Sequence, residues 1–120
     1  DFLGALAAAA AGDARGTELT TGDDATVTVV VAAGDYPERG DRGTPIEGVE
    51  TAESTGALVF HAGTAVHEGR LVTNGGRILG VTGRGPTLER ARRQAYEAAA
   101  RIDFAGARFR TDIAMEAAVV

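Results

Sequence analysis

The residues best placed to do chemistry are Asn74, Gly75, Gly76 and Arg77. They lie between two runs of alternating apolar residues, Arg70–Thr73 and Arg77–Thr82. A guanidinium held at the mouth of a rigid turn can grip a phosphate or a carboxylate through two parallel hydrogen bonds. Two glycines beside it would let a ligand come close to the backbone. The same residues also have a plain structural reading, in which the glycines turn the chain and Arg77 is a solvated strand residue. His61 and Tyr36 are the remaining candidates. His61 closes an apolar run before Ala62-Gly63-Thr64, where an imidazole more often makes a structural hydrogen bond than acts as a base. Tyr36 precedes Pro37, which restricts it to extended backbone and fixes the loop exit. Both are read as structural, or as supporting a ligand contact from behind. His67, beside Glu68-Gly69, is expected at an exposed turn, and Arg110 and Asp112 are expected to pair at the surface.

Composition removes several chemistries. All 12 basic residues are arginine. Without lysine there is no Schiff base, no phosphate-loop lysine and no attachment point for biotin or lipoate. Without cysteine there is no thiol nucleophile, disulfide or thiolate metal site. His61 and His67 alone do not make a zinc site. Ser54, the single serine, lies in no nucleophile-elbow motif. No catalytic residue and no metal ligand is assigned. A net charge of −5 and a pI near 4.9 argue against nucleic acid and anionic membranes as partners. No apolar run approaches the ~18 residues that cross a bilayer. Phe2–Ala11 lacks the basic start of a signal peptide. The acidic balance, abundant Ala and Gly, and absent Lys point to a GC-rich source, either salt-adapted or of ordinary salinity. An unfolding midpoint that rises from low to molar KCl would mark the first, and a flat one would remove it.

These residues need elements to position them. Asn-Gly between alternating runs predicts a hairpin with a type I′ turn, which requires positive φ at both central residues. Ala25–Ala33, rich in valine at every second position, predicts a strand, as does Leu58–His61. Gly34–Gly48 carries Pro37, Pro45 and several glycines and is expected to be a long loop, of the kind that is functional or meets another element. Thr87–Ile102 predicts the main helix: Leu88, Ala91, Ala95, Ala98 and Ile102 recur on one face, with Pro86 in the first turn. Asp1–Ala11 predicts a short helix ended by Gly12, resembling the last piece of a preceding unit, and residues 13–24 a linker. Phe104 and Phe109 are expected to close the core. Met115–Val120 is expected to fray or to be extra to the domain. At 120 residues, 44% hydrophobic but only 5% aromatic, the chain is about one domain with a core of Val, Leu, Ile and Ala.

Tyr36-Pro37, the glycine-punctuated loop from Gly43 to Gly48, Val59–Thr64 (VFHAGT), Thr73–Leu79 (TNGGRIL) and Thr87-Leu88-Glu89 follow one another in that order. Together they resemble the C-terminal domain of the phosphoribosylamine–glycine ligases (glycinamide ribonucleotide synthetases) of the ATP-grasp superfamily, over roughly Asp1–Ile113. The chain departs from that pattern in Gly34-Asp35-Tyr36-Pro37, where the family often has Gly-Tyr-Pro. It also departs in the charged stretch Glu38–Thr44, and in Ala114, where a Gly commonly ends the domain.

The resemblance implies an α+β fold: a small strand-rich, barrel-sandwich-like domain (a rudimentary hybrid motif) with one covering C-terminal helix and a short N-terminal helix. It implies a division into residues 1–12 as the terminal helix of an ATP-grasp domain, 13–24 as linker, 25–114 as the ligase C-terminal domain and 115–120 as tail. The implied enzyme is cytoplasmic and joins glycine to 5-phosphoribosylamine in de novo purine biosynthesis. It uses ATP and Mg²⁺ or Mn²⁺, bound mainly upstream, with none held by this chain alone. Its implied partners are the N-terminal and ATP-grasp domains and the two substrates, with no nucleic acid or membrane. Asn74, Gly75, Gly76 and Arg77 would contact substrate, and His61 and Tyr36 would support them. The chain by itself would be inactive. The alternatives are a noncatalytic barrel-like docking or ligand-binding module of another ATP-grasp ligase, or a free-standing interaction domain.

Overall fold

The computed structural model describes residues 1–117. The order of elements is α1 (Phe2–Ala10), β1 (Ala25–Ala32), β2 (Asp41–Pro45), α2 (Val49–Glu53), β3 (Leu58–His61), β4 (Thr64–His67), β5 (Arg70–Gly75), β6 (Arg77–Gly85) and α3 (Leu88–Ala99). The strands make two antiparallel three-stranded sheets, β1-β6-β3 and β2-β5-β4. The result is a small α+β domain with no closed barrel among the described residues. No helix is long and apolar enough to cross a membrane.

The β1-β6-β3 sheet carries the core. Val27, Val29 and Val31 alternate inward and sit opposite Gly83, Val81 and Leu79 of β6. Helix α3 covers this face with Ala91, Ala95, Ala98 and Ala99, all fully buried. The helix comes so close that a Cβ at Gly83 would collide with the backbone of Ala91 and Ala95. Alanine against glycine replaces the missing aromatics by letting backbone pack on backbone, which raises the number of dispersion contacts without large side chains. Phe104 is buried and Phe109 half-buried against the same core.

Two predicted elements hold with trimmed ends. The main helix runs Leu88–Ala99, with the Thr87 hydroxyl accepting from the Arg90 N–H at 3.2 Å as its cap. Pro86 therefore stands ahead of the cap rather than in the first turn. The N-terminal helix is capped by Asp1, whose carboxylate accepts from Gly4 N–H at 3.1 Å. It buries no residue, and Phe2, Leu3 and Leu6 lie exposed. The Gly34–Gly48 loop is less loop than its composition implies, because Asp41–Pro45 pairs with β5. Of the Met115–Val120 tail, residues 118–120 lie outside the described residues.

One expectation is overturned. β5 and β6 do not pair, and Asn74-Gly75-Gly76 is not a hairpin turn. β5 belongs to one sheet and β6 to the other, so the chain crosses between sheets there. Neither Gly75 nor Gly76 has a positive φ. The type I′ geometry sits at Glu68 (φ 51°) and Gly69 (φ 76°), between paired His67 and Arg70. Asn-Gly scored as a turn because it lies between alternating runs. The two runs belong to different sheets, so their closeness in sequence does not make them partners.

Candidate functional site

The crossover explains its own glycines. A Cβ at Gly63 would lie 2.6 Å from the Arg77 carbonyl oxygen and 3.0 Å from Gly75 Cα, and one at Gly40 would lie 2.7 Å from the Gly75 carbonyl carbon. Three backbone segments therefore meet at one point. Their hydrogen bonds confirm it: Asn74 N–H donates to Gly63 O at 2.7 Å, and Gly63 N–H donates to Arg77 O at 2.9 Å. Gly76 serves a different neighbour. A Cβ there would stand 2.5 Å from Cδ2 and 3.1 Å from Cε2 of Tyr36, so the ring occupies the space a side chain at Gly76 would need. The freedom of these glycines is used for close approach inside the domain, and Gly76 O additionally accepts from Ala33 N–H at 2.8 Å.

This packing fixes where β6 begins, and so where Arg77 stands. Its side chain is exposed and makes no hydrogen bond or ion pair among the described residues. It lies on the rim of an open groove of about 560 Å³ whose lining includes Val30, Tyr36, Phe60, Ala62 and Gly80. Tyr36 is held from both ends, by Gly76 beneath its ring and by Arg108, whose guanidinium donates to its carbonyl oxygen. The Tyr36–Pro37 bond is cis.

His61 is not part of the groove lining. Strand alternation puts Phe60 on the groove side and His61 on the other, where Nδ1 lies 3.1 Å from the Thr64 hydroxyl. The structure thus brings Tyr36, Gly76 and Arg77 together and leaves His61 apart. Asn74 is exposed and paired in register with Arg42.

Beneath the crossover lies a polar network that the residue types did not disclose. Thr73, 1% exposed, donates its hydroxyl to Asp41 at 2.6 Å and accepts from Thr44 N–H at 3.0 Å. Hydrogen bonding to Thr44 and then to Thr73 holds the Asp41 carboxyl below its ordinary value. The network ties β2 to β5 one residue before Asn74.

A second groove, of about 540 Å³, adjoins the first across Val30 and Tyr36. Its far wall is Phe109 and Ile113. That wall is latched to α3: Tyr96 donates its hydroxyl to Arg110 O at 2.7 Å and accepts from Ile113 N–H at 3.0 Å. Arg92 donates to the carbonyls of Thr111 and Ile113 while its guanidinium lies 4.7 Å over the Tyr96 ring. Arg110 and Asp112 pair at 2.6 Å, as their spacing implied. Arg108 and Phe60 were the groove residues least visible in advance. The first is 72 positions from its partner Tyr36, and the second is signalled only by alternation along Leu58–His61.

Among the described residues no group of three or more His, Asp or Glu is arranged to hold a metal ion. Arginine supplies every side-chain cation that could meet a phosphate.

The family described as "Phosphoribosylglycinamide synthetase, C domain" matches residues 26–116. A phosphoribosylamine–glycine ligase of Mesorhizobium japonicum is 44% identical over 117 residues, covering 98% of this chain and 28% of that protein. The chloroplastic phosphoribosylamine–glycine ligase of Arabidopsis thaliana is 42% identical over 120 residues, covering 98% of this chain and 23% of its own length. The crystal structure of a phosphoribosylamine–glycine ligase from Thermotoga maritima superposes with a TM-score of 0.76 at 39% identity, over 93% of this chain and 27% of that one. The chain spans about a quarter of the length of the relatives it matches.

Proposed function

The chain belongs to the phosphoribosylglycinamide synthetase C-domain family, and from that premise we propose that it forms the C-terminal part of a ligase joining glycine to 5-phosphoribosylamine. In that reaction the glycine carboxylate takes the terminal phosphoryl group of ATP, releasing ADP. The amine of phosphoribosylamine then attacks the carbonyl carbon of glycyl phosphate and expels phosphate, giving glycinamide ribonucleotide. Among the described residues no His, Asp and Glu cluster of three or more is arranged for a divalent cation, and the sequence has no lysine to meet the nucleotide phosphates. ATP and its Mg²⁺ or Mn²⁺ are therefore assigned to the N-terminal and ATP-grasp domains of the same polypeptide. Residues 1–12 are read as the last helix of that preceding unit, 13–24 as linker, 25–114 as the C-terminal domain and 115–120 as tail. The exposed face of α1 supports this division. Two open sheets joined by the β5–β6 crossover support a barrel-sandwich-like description.

The role of this domain is to close one wall of the active site and present Arg77, with Asn74 at the same corner, to an anionic group of substrate. The observation that carries this is the free, exposed guanidinium of Arg77 on a crossover whose backbone is fixed by three glycine contacts. A rigid base removes most of the entropy cost of orienting the fork, which is what makes a single arginine useful for positioning.

The test is glycine-dependent ADP formation by the full-length ligase with phosphoribosylamine supplied, wild type against Arg77→Ala. A loss of tenfold or more in kcat/KM, about 1.4 kcal/mol of transition-state stabilisation, with unfolding unchanged, supports the reading. Unchanged kinetics would return Arg77 to a solvated strand residue. The 120-residue chain alone is expected to release no ADP.

A further inference from the structure

Strand β6 contains three glycines, Gly80 and Gly83 inside it and Gly85 at its end, and the domain itself accounts for Gly83 and Gly85. A Cβ at Gly83 would collide with α3, and one at Gly85 would lie 2.9 Å from Arg90 Cβ. Gly80 is different. A Cβ there would meet only Thr28 Cγ2 at 3.5 Å and Phe60 Cβ at 3.9 Å, which is ordinary van der Waals contact. Its φ is not positive. Glycine in a strand interior is unfavourable, and where nothing internal requires it the usual reason is close approach from outside.

Gly80 looks outward from the β1-β6-β3 sheet. Register places it between Val30 of β1 and Phe60 of β3. Val30 is 43% exposed and Phe60 56%, so the glycine floors a notch between two uncovered apolar side chains. Leu58, 57% exposed, extends the band along β3. On the other side the second groove carries it past Val30 to Phe109 and Ile113. Contiguous exposed apolar surface of this kind marks a site that something else covers.

We propose that the outer face of the β1-β6-β3 sheet is where the rest of the ligase polypeptide docks, seating an apolar knob over Gly80. This rests on the ligase reading. The chain is matched over 98% of its length by a relative of which it is only 28%, so most of such a polypeptide lies outside this domain and is the nearest source of a surface to cover this face. Glycine and phosphoribosylamine are small and polar and neither suits an apolar band that runs through two adjoining grooves, and the nucleotide is assigned to the upstream domains. The grooves are bordered by arginines, Arg77 and Arg108 among them, so the facing segment is apolar at its centre and acidic at its edge. Arg77 then stands at the seam, where the docked surfaces open toward the reacting groups.

The test compares Gly80→Val in the 120-residue chain and in the full-length ligase, by calorimetric unfolding and by steady-state kinetics. In the isolated chain a Cβ at position 80 meets only ordinary contacts and valine suits a strand, so the midpoint should stay within about 1 °C or rise. In the full-length ligase it should fall by about 5 °C or more, because the knob no longer seats. Leu58→Asp should reproduce the split without touching the notch. An unchanged midpoint in the full-length protein overturns the proposal, as does an equal loss in both forms, which would give Gly80 an internal role. A raised KM for one substrate with unchanged unfolding would mean that a ligand covers the face. Concentration-dependent dimers of the isolated chain that Gly80→Val abolishes would mean that a second copy does. Either would overturn it. Wild-type ligase that makes no ADP would remove the functional reading, while the unfolding comparison would remain legible.

Discussion

The hydroxyl of Thr73 donates to the carboxylate of Asp41 at 2.6 Å across 32 positions of sequence, joining β5 to β2 directly under the crossover. Thr73→Val keeps the shape but takes one of its hydrogen bonds from Asp41 and leaves the Thr44 N–H without the Thr73 hydroxyl. The expected cost is about 1–2 kcal/mol by urea denaturation, and a loss below about 0.3 kcal/mol would show that water replaces the hydroxyl freely.

Asp41 gives this network a pH signature. Its carboxyl is depressed in the folded protein from an ordinary value of 3.8. A depressed acid contributes stability above its unfolded value, and that contribution is lost as pH falls through the folded one. The stability gap between wild type and Asp41→Asn should therefore be level well above 3.8 and close as pH falls below 3.8 through the depressed folded value. A gap that does not depend on pH would assign the effect to packing.

Gly76→Ala drives a methyl group into the Tyr36 ring, which a Cβ would approach to 2.5 Å. Overpacking of this kind costs about 1–3 kcal/mol. Tyr36→Ala should relieve it, so the double variant should be less destabilised than the sum of the singles by about 1 kcal/mol. Additive effects would mean that the alanine strains the crossover backbone and not the ring.

Glu68 holds a φ of 51° in the β4–β5 turn, a conformation that asparagine tolerates better. Glu68→Asn should raise stability by about 0.5–1 kcal/mol. A destabilised variant would show that the Glu68 side chain has a contact that outweighs the backbone preference.

Tyr96→Phe removes the hydroxyl that both donates to Arg110 O and accepts from Ile113 N–H. The expected cost is about 1–2 kcal/mol, with faster hydrogen exchange at the Ile113 amide. Unchanged exchange there would show that Arg92, which donates to the Thr111 and Ile113 carbonyls, holds the tail unaided.

The sequence was most legible where one residue type repeats on one face. Valine at every second position located β1, and alanine and leucine at three- and four-residue spacing located α3. The motif order Val59–Thr64, Thr73–Leu79 and Thr87-Leu88-Glu89 identified the family. Tertiary context decided the rest. Asn74-Gly75-Gly76 has the composition of a tight turn, but its glycines answer to Gly63, Gly40 and Tyr36, which are distant in sequence and leave no local mark. The turn expected at Glu68-Gly69 does form, and only its tightness was hidden, because glutamate is not a residue that propensity assigns to positive φ. The strand Asp41–Pro45 was hidden by its proline and glycine, tolerated because β2 is an edge strand. At the site, Arg77 was visible as a charge beside two glycines, whereas the groove it borders depends on Phe60 and Val30, brought together only by pairing through Gly80.

The strand order β1-β6-β3 has a consequence during synthesis. β6 is the middle strand, yet it leaves the ribosome after both of its neighbours. Ala25–Ala32, which has no charge and no proline, must wait for residues 77–85 to satisfy its pairing edge and for Leu88–Ala99 to cover its inner face. A nascent chain that stalls between His67 and Arg77 exposes a valine-rich segment with every property that favours intermolecular pairing. The speed of translation through β4 and β5 therefore bears on yield, independently of how stable the finished domain is.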